Sequence, residues 1–232
     1  MIKHLGMQPI GPVESLLQIN RAKFFEFNYN EKILDFGGGD GNVWSSLYKN
    51  EKNLTIDLYE PNKKLEKIAK DKNIYSNYLN SKNDINKSFY DSVTCFGVLE
   101  HVENASSILS ILTGFKKIHI VVPNAYSFHR QIGLEKGLIK NIFELSENDL
   151  KVGHKKYYDK ELLLSDIKYL LDMNYKILKF GTISFKFLDN HNTEKFIDIF
   201  NEINIVAKKQ KLIGENCFNG AELAISLEKI NY

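Results

Sequence analysis

The sequence predicts an α/β protein: one doubly wound domain with a seven-stranded, mostly parallel sheet, helices on both faces and a lid insertion after strand 5. Three observations carry this expectation. Short apolar runs alternate with helix-length segments, the pattern of strand–helix–strand units. The first apolar run ends abruptly in a group of glycines. The alternation then breaks once, over residues 124–160, and resumes. A chain of 232 residues suits one large α/β domain, and 43% hydrophobic with 26% charged residues is enough to bury a real core.

The elements follow in order. Lys32 to Phe36 is the first strand, stopped by Gly37. A helix is expected from about Asn42 to Lys49. Leu54 to Tyr59 reads as the second strand, with β-branched Thr55 and Ile56. Pro61 is placed to open a helix through Lys70, a favoured position for proline. Ile74 to Leu79, Ser92 to Phe96 and Lys117 to Val122 supply strands three to five, with a helix over Ala105 to Leu112. Asn124 to Lys160 is a long irregular insert, and such inserts in compact domains are usually functional. A helix to about Met173 and a strand over Tyr175 to Phe180 follow. Apolar residues near helical spacing mark a helix over Thr193 to Lys209. Ala221 to Leu227 is the last strand.

Composition excludes several classes. A formal net charge of +2 is too balanced for a nucleic-acid footprint, and the lysine pairs are scattered. Cys95 and Cys217 lie far apart with no CxxC, so neither a disulfide framework nor zinc spacing is present. Met1 to Ser15 lacks the apolar run of a signal peptide. No run of about eighteen apolar residues marks a membrane span. The expectation is a cytoplasmic monomer or homodimer acting on a small molecule, with no nucleic-acid partner.

Chemistry concentrates in Ile33 to Asn42, ILDFGGGDGN. A buried strand delivers Asp35 to a turn containing Gly37, Gly38, Gly39 and Gly41, where bare backbone can approach a ligand. The next helix points its N-terminus at the same place. Glu60 ends the second strand, about twenty residues on, the spacing of an acid that accepts ribose hydroxyls. A nicotinamide dinucleotide fits less well. Its third glycine is replaced by Asn42, and Asp35 would repel a pyrophosphate while suiting an ammonium.

Asp35 to Gly41 resembles the first motif of class I S-adenosylmethionine-dependent methyltransferases, of the type 11/12-like kind. Tyr59-Glu60-Pro61-Asn62 resembles their second motif. Asp91 to Val102, ending Leu99-Glu100-His101-Val102, resembles their fourth-strand motif, and Val121-Val122-Pro123-Asn124 the end of the fifth strand. The segments PNAYSFHR (Pro123 to Arg130) and GHKKYYD (Gly153 to Asp159) resemble a bacterial subgroup found in surface-sugar or lipid-quinone pathways. The resemblance implies a Rossmann-like single domain over 1–232, with a cofactor half over 31–123, an acceptor insertion over 124–160 and C-terminal elements over 161–232. It implies S-adenosyl-L-methionine as cofactor, S-adenosyl-L-homocysteine as product, and cofactor contacts from Asp35, Gly37, Gly38, Gly39, Gly41, Glu60, Pro61, Asn80, Ser81, Phe96 and Gly97. Relatives place an Asp after the third strand to bind the adenine amino group. Here Asn80, Ser81 and Asn83 are the available acceptors.

For transfer to a hydroxyl, a base is needed, and histidine is the side chain best poised near neutrality. His101 is the first candidate, then His129 and His154. An amine acceptor needs a base less. Tyr126, Arg130, Lys155, Tyr157 and Tyr158 are expected at the acceptor pocket, where Arg130 and the lysines suit an anionic acceptor such as a nucleotide-linked or phosphorylated sugar. The histidines show no H-x-x-x-H or H-x-H spacing, so no metal site is expected. The competing readings are a catalytically silent methyltransferase-like binding subunit and a nicotinamide-dependent oxidoreductase.

Overall fold

The computed structural model describes residues 12–47, 53–188 and 190–230. Helix α1 (Pro12–Phe25) precedes β1 (Lys32–Phe36), α2 (Asn42–Leu47), β2 (Thr55–Tyr59), α3 (Lys63–Asp71) and β3 (Asn77–Leu79). Then come β4 (Ser92–Phe96), α4 (Ser106–Leu112), β5 (Lys117–Pro123), α5 (Phe128–Glu135), α6 (Glu147–Val152) and α7 (Lys160–Asp172). The chain continues with β6 (Tyr175–Ile183), α8 (Asn190–Thr193), α9 (Ile197–Lys209), β7 (Gly214–Glu215) and β8 (Glu222–Lys229).

The strand order is β3-β2-β1-β4-β5-β8-β6-β7. β1 runs parallel to β2 and β4, and β4 parallel to β5, whereas β8 is antiparallel to both β5 and β6. The chain builds outward from β1 through β2 to β3, then crosses back to β4. That reversal leaves a crevice at the carboxyl ends of β1 and β4, where doubly wound sheets bind ligands. Alternation along the strands fills both faces. Leu34, Val93, Cys95, Ile118 and Ile120 pack with Leu109 of α4 and Leu163 and Ile167 of α7. Ile33, Ile56, Leu58 and Val121 pack on the other face with Phe25, Trp44 and Ala69 of α1, α2 and α3.

The mostly parallel α/β sheet matches the sequence expectation, with an eighth strand added: Gly214–Glu215 closes a short antiparallel edge on β6. Four other differences have physical causes. Helix α3 begins at Lys63, not Pro61, because Asn62 Oδ1 caps it by accepting from the Lys64 N–H at 3.0 Å. The third strand shrinks to three residues because Tyr75 turns inward to reach Asp35. The helix expected over 193–209 is interrupted by a 3-10 turn at Glu194–Phe196. The insert is not irregular: it holds α5 and α6, the latter closed by a capping box between Ser146 and Asp149. Most of the expectation for Met1 to Ser15, and the end of the helix at Lys49, lie outside the described residues. Among the described residues no helix is long and apolar enough to cross a membrane.

Candidate active site

The glycine turn leaves β1 with the Gly37 N–H donating to the Tyr59 carbonyl at 2.8 Å, which ties it to the end of β2. Gly39 has φ +62°, and a Cβ added there would meet nothing within 4 Å. The turn therefore presents bare backbone to open space at this residue, as close approach of a ligand requires. Gly38 differs: its added Cβ would lie 1.9 Å from Asp35 Oδ2. The Asp35 carboxylate thus sits directly beneath the turn.

Asp35 is buried, and both of its oxygens are engaged. Tyr75 donates its hydroxyl to Oδ2 at 2.7 Å and Thr94 its hydroxyl to Oδ1 at 2.9 Å. Burial pushes the carboxyl up to about 6, partly offset by those hydroxyls, and the nearby Glu60 adds to the rise. The turn covers Asp35, which forms the floor of the crevice. Nothing in the local sequence signals Tyr75 as its partner.

Glu60 is also buried, and its two oxygens separate in use. Oε2 accepts the Gly39 N–H at 2.9 Å and Oε1 the Asn62 N–H at 2.7 Å. Burial raises its pKa against those two hydrogen bonds. A carboxylate has about four acceptor positions, so two remain for a vicinal diol. Glu60 therefore ties the glycine turn to the start of α3. Pro61 lies between Glu60 and the Asn62 cap. Phe96 is buried and stacks on Phe25 at 5.1 Å, and Gly97 donates its N–H to the Val121 carbonyl at 2.9 Å. Ser81 spends its hydroxyl capping a 3-10 turn, where Asn83 N–H donates to it at 3.1 Å and Asp84 accepts from Ser81 N–H at 2.9 Å. Asn80 stays exposed beside it.

After β4 the chain makes a 3-10 turn at Leu99–His101. This turn abuts the glycines, since a Cβ on Gly37 would meet Val98 Cγ2 at 2.7 Å. The end of the insert closes on the same turn. Lys155 N–H donates to the Glu100 carbonyl at 2.7 Å, and Ala125 N–H to the Tyr158 carbonyl at 2.7 Å. Two histidines meet as a result: His101 and His154 lie edge to face with ring centroids 4.8 Å apart. The His101 ring donates to the Gly153 carbonyl, and burial holds its pKa below the ordinary value. Burial and the His101 ring bring His154 down to about 4. Both rings are neutral near pH 7, so the 3.5 Å approach of Asp149 to His154 is not an ion pair. Glu100 is buried beside them. Its Oε2 has no hydrogen-bond partner, and burial pushes the carboxyl up to about 8. Linear spacing could not reveal this convergence, because the insert supplies His154. His129, half-buried on α5, is not part of it.

The remaining acceptor candidates separate. Arg130 is buried, donating from Nη2 to the carbonyls of Ile142 (2.8 Å) and Glu144 (2.6 Å) and lying 3.8 Å over the Tyr157 ring. It clamps the insert and is not presented as a free cation. Tyr158 is fully buried, donating to Asp166 at 2.9 Å, so it belongs to the core. The Tyr157 hydroxyl donates to Asp149 at 3.1 Å. Lys155 pairs with Glu103 at 3.4 Å in solvent, and Tyr126 is exposed against Phe143.

A family model described as a methyltransferase domain matches residues 13–159. No curated protein matches the sequence. Among solved structures, the methyltransferase domain of bacterial CtHen1 is 17% identical, with a TM-score of 0.58 over 95% of this chain and 100% of that one. The plantazolicin methyltransferase BpumL, solved with S-adenosylhomocysteine (SAH), is 15% identical, with a TM-score of 0.56 over 94% of this chain and 85% of that one. A SAM-dependent methyltransferase from Archaeoglobus fulgidus is 19% identical, with a TM-score of 0.54 over 93% and 94%. These likenesses show the Rossmann-like fold. The bare face of Gly39 and the spare acceptor positions of Glu60 fit an adenosyl ligand, and with the family match they place this chain in the methyltransferase domain family, with S-adenosylmethionine as its cofactor.

Proposed function

We propose that this chain is a cytoplasmic enzyme that transfers a methyl group to an oxygen or nitrogen of a small molecule. When bound, S-adenosylmethionine supplies the methyl group as part of a sulfonium. The carbonyl of Gly153 fixes the proton on one side of the His101 ring, leaving the other nitrogen's lone pair for an acceptor proton. That neutral imidazole, on a turn packed against the glycines, is the observation that carries the reading. His154 stands behind it, and His129 is held in reserve on the insert. Residues 124–160 form the acceptor wall, with Tyr126 and Tyr157 as its aromatic surface.

The cofactor half contributes placement. Gly37 to Gly41 and Glu60 hold the nucleoside, and Asp35 puts negative potential under the turn. Small-molecule acceptance is supported by the near-neutral charge. A preference for an anionic sugar loses its main cation, because Arg130 is committed to carbonyls. The two free cysteines suit a reducing compartment.

The test is a panel of sugar nucleotides, phosphorylated sugars, phenols, amines and short RNAs, scored by SAH formed. Turnover with a small molecule is expected, and turnover with RNA alone would overturn the small-molecule reading. With the active acceptor, His101→Gln is expected to lower the rate by about 10²–10⁴-fold while SAH binding is unchanged.

A further inference from the structure

Glu100, His101 and His154 each offer one donor atom, and the three atoms lie within 4.8 Å of one another. Buried polar groups are almost always paired, and an unpaired one calls for an explanation. Here Glu100 is 4% exposed, and its Oε2 is buried with no hydrogen-bond partner. It shares a corner with His101 and with His154, whose Nδ1 is also buried without a hydrogen-bond partner. Three atoms able to ligate, gathered this closely around a buried carboxyl oxygen that has no partner, are arranged for a cation.

We propose that Glu100, His101 and His154 form a site for a divalent first-row transition-metal ion. The inference rests on the reading above of this corner as the acceptor side of methyl transfer. Two imidazoles and one carboxylate suit manganese, iron, cobalt, nickel or zinc better than magnesium or calcium, which favour oxygen ligands. An ion held at about 2.1 Å from each donor sets tetrahedral donors roughly 3.4 Å apart, so the observed spacing closes by small side-chain rotations. The surrounding groups already resemble an outer shell. The Gly153 carbonyl orients the His101 ring, and Asp149 Oδ1 stands 3.5 Å from His154 Nδ1. Gly97 has no side chain, and a Cβ there would reach to 3.3 Å of Glu100 Oε1, so bare backbone lies on that flank.

Three protein ligands leave coordination positions open. The ion would take over the role given above to a lone imidazole. An acceptor hydroxyl on the ion gives its proton to water, because coordination lowers its pKa. Its oxygen then forms the bond to the methyl carbon as the carbon–sulfur bond breaks, the sulfur keeping the electron pair.

The test uses cobalt(II) and manganese(II) on the full chain, freed of metal and without any acceptor. Cobalt is expected to give visible absorption bands that saturate at one ion per chain, and manganese to give binding heat. Glu100→Gln and His154→Gln are each expected to weaken binding by at least 100-fold while SAH binding persists, which shows that the variants fold. No cobalt spectrum at millimolar metal, or an unchanged spectrum in Glu100→Gln, overturns the proposal. Methylation that runs unchanged in EDTA overturns it too, and leaves the methyltransferase reading standing. Failure to bind SAH would instead strike that reading, whatever cobalt does.

Discussion

Asp35 shows how a single side chain can serve a site without touching solvent. Its folded pKa of about 6 stands above the ordinary 3.8, so the native chain binds this proton more tightly than the unfolded chain does. The stability tied to the protonated form is present below about pH 4 and is lost as pH rises through about 6. Above that, the fold carries an ionised carboxylate at a cost of up to about 3 kcal/mol. Asp35→Asn removes the charge and keeps the shape. The Tyr75 and Thr94 hydroxyls can rotate to accept as well as donate. Urea unfolding should find the variant more stable than the parent at pH 8, with the gap shrinking at pH 5. Calorimetry should find its SAH affinity reduced, because negative potential under the glycine turn is gone. A gap between variant and parent no larger at pH 8 than at pH 5 would refute the assigned shift.

Helix α1 is held to the site end of the sheet by charge as well as by packing. Arg21 donates from Nε to both Glu222 oxygens, at 3.1 and 3.0 Å, and from Nη1 to Gln18 at 2.6 Å. Both partners of the ion pair are largely buried. Removing one partner leaves a buried charge uncompensated, which costs roughly 3–5 kcal/mol. Arg21→Met is expected to lose stability on that scale, and hydrogen exchange should accelerate first across 12–25. Arg21→Met/Glu222→Gln should recover part of the loss, since no charge is then stranded. Equal destabilisation in the single and double variants would show that the pair does not act as one. This helix escaped the sequence reading, because Gly and Pro around its start obscured the apolar positions Val13, Leu16 and Leu17. Helix α7 was legible because its apolar residues repeat at helical spacing and Asp159 caps it, accepting from Leu162 N–H at 2.7 Å.

At the scale of the whole molecule, the sheet and cofactor crevice were readable because strand–turn–helix signals are local. Phe36 ends a strand, Gly37 turns the chain, and Glu60 ends the next strand, all within one stretch of sequence. The acceptor side was readable only in part. Arg130 looked like a free cation because its acceptors, the carbonyls of Ile142 and Glu144, carry no side-chain signal. Tyr158 looked like a pocket residue because its burial depends on the insert folding back to β5. Likewise, only the folded insert brings His154 to His101.

The position of β8 sets the order in which this molecule can be assembled. Leu223, Ala224, Ile225 and Leu227 are all buried, and the strand bonds to β5 on one side and β6 on the other. During synthesis, everything before Glu222 leaves the ribosome with the β8-facing edges of β5 and β6 open, and open strand edges invite association between chains. A version lacking 222–230 should therefore be recovered as aggregates or bound to chaperones, whereas supplying those residues as a separate peptide during refolding should restore soluble, SAH-binding protein. A nascent chain of this kind keeps the gap between β5 and β6 open until β8 slots into it.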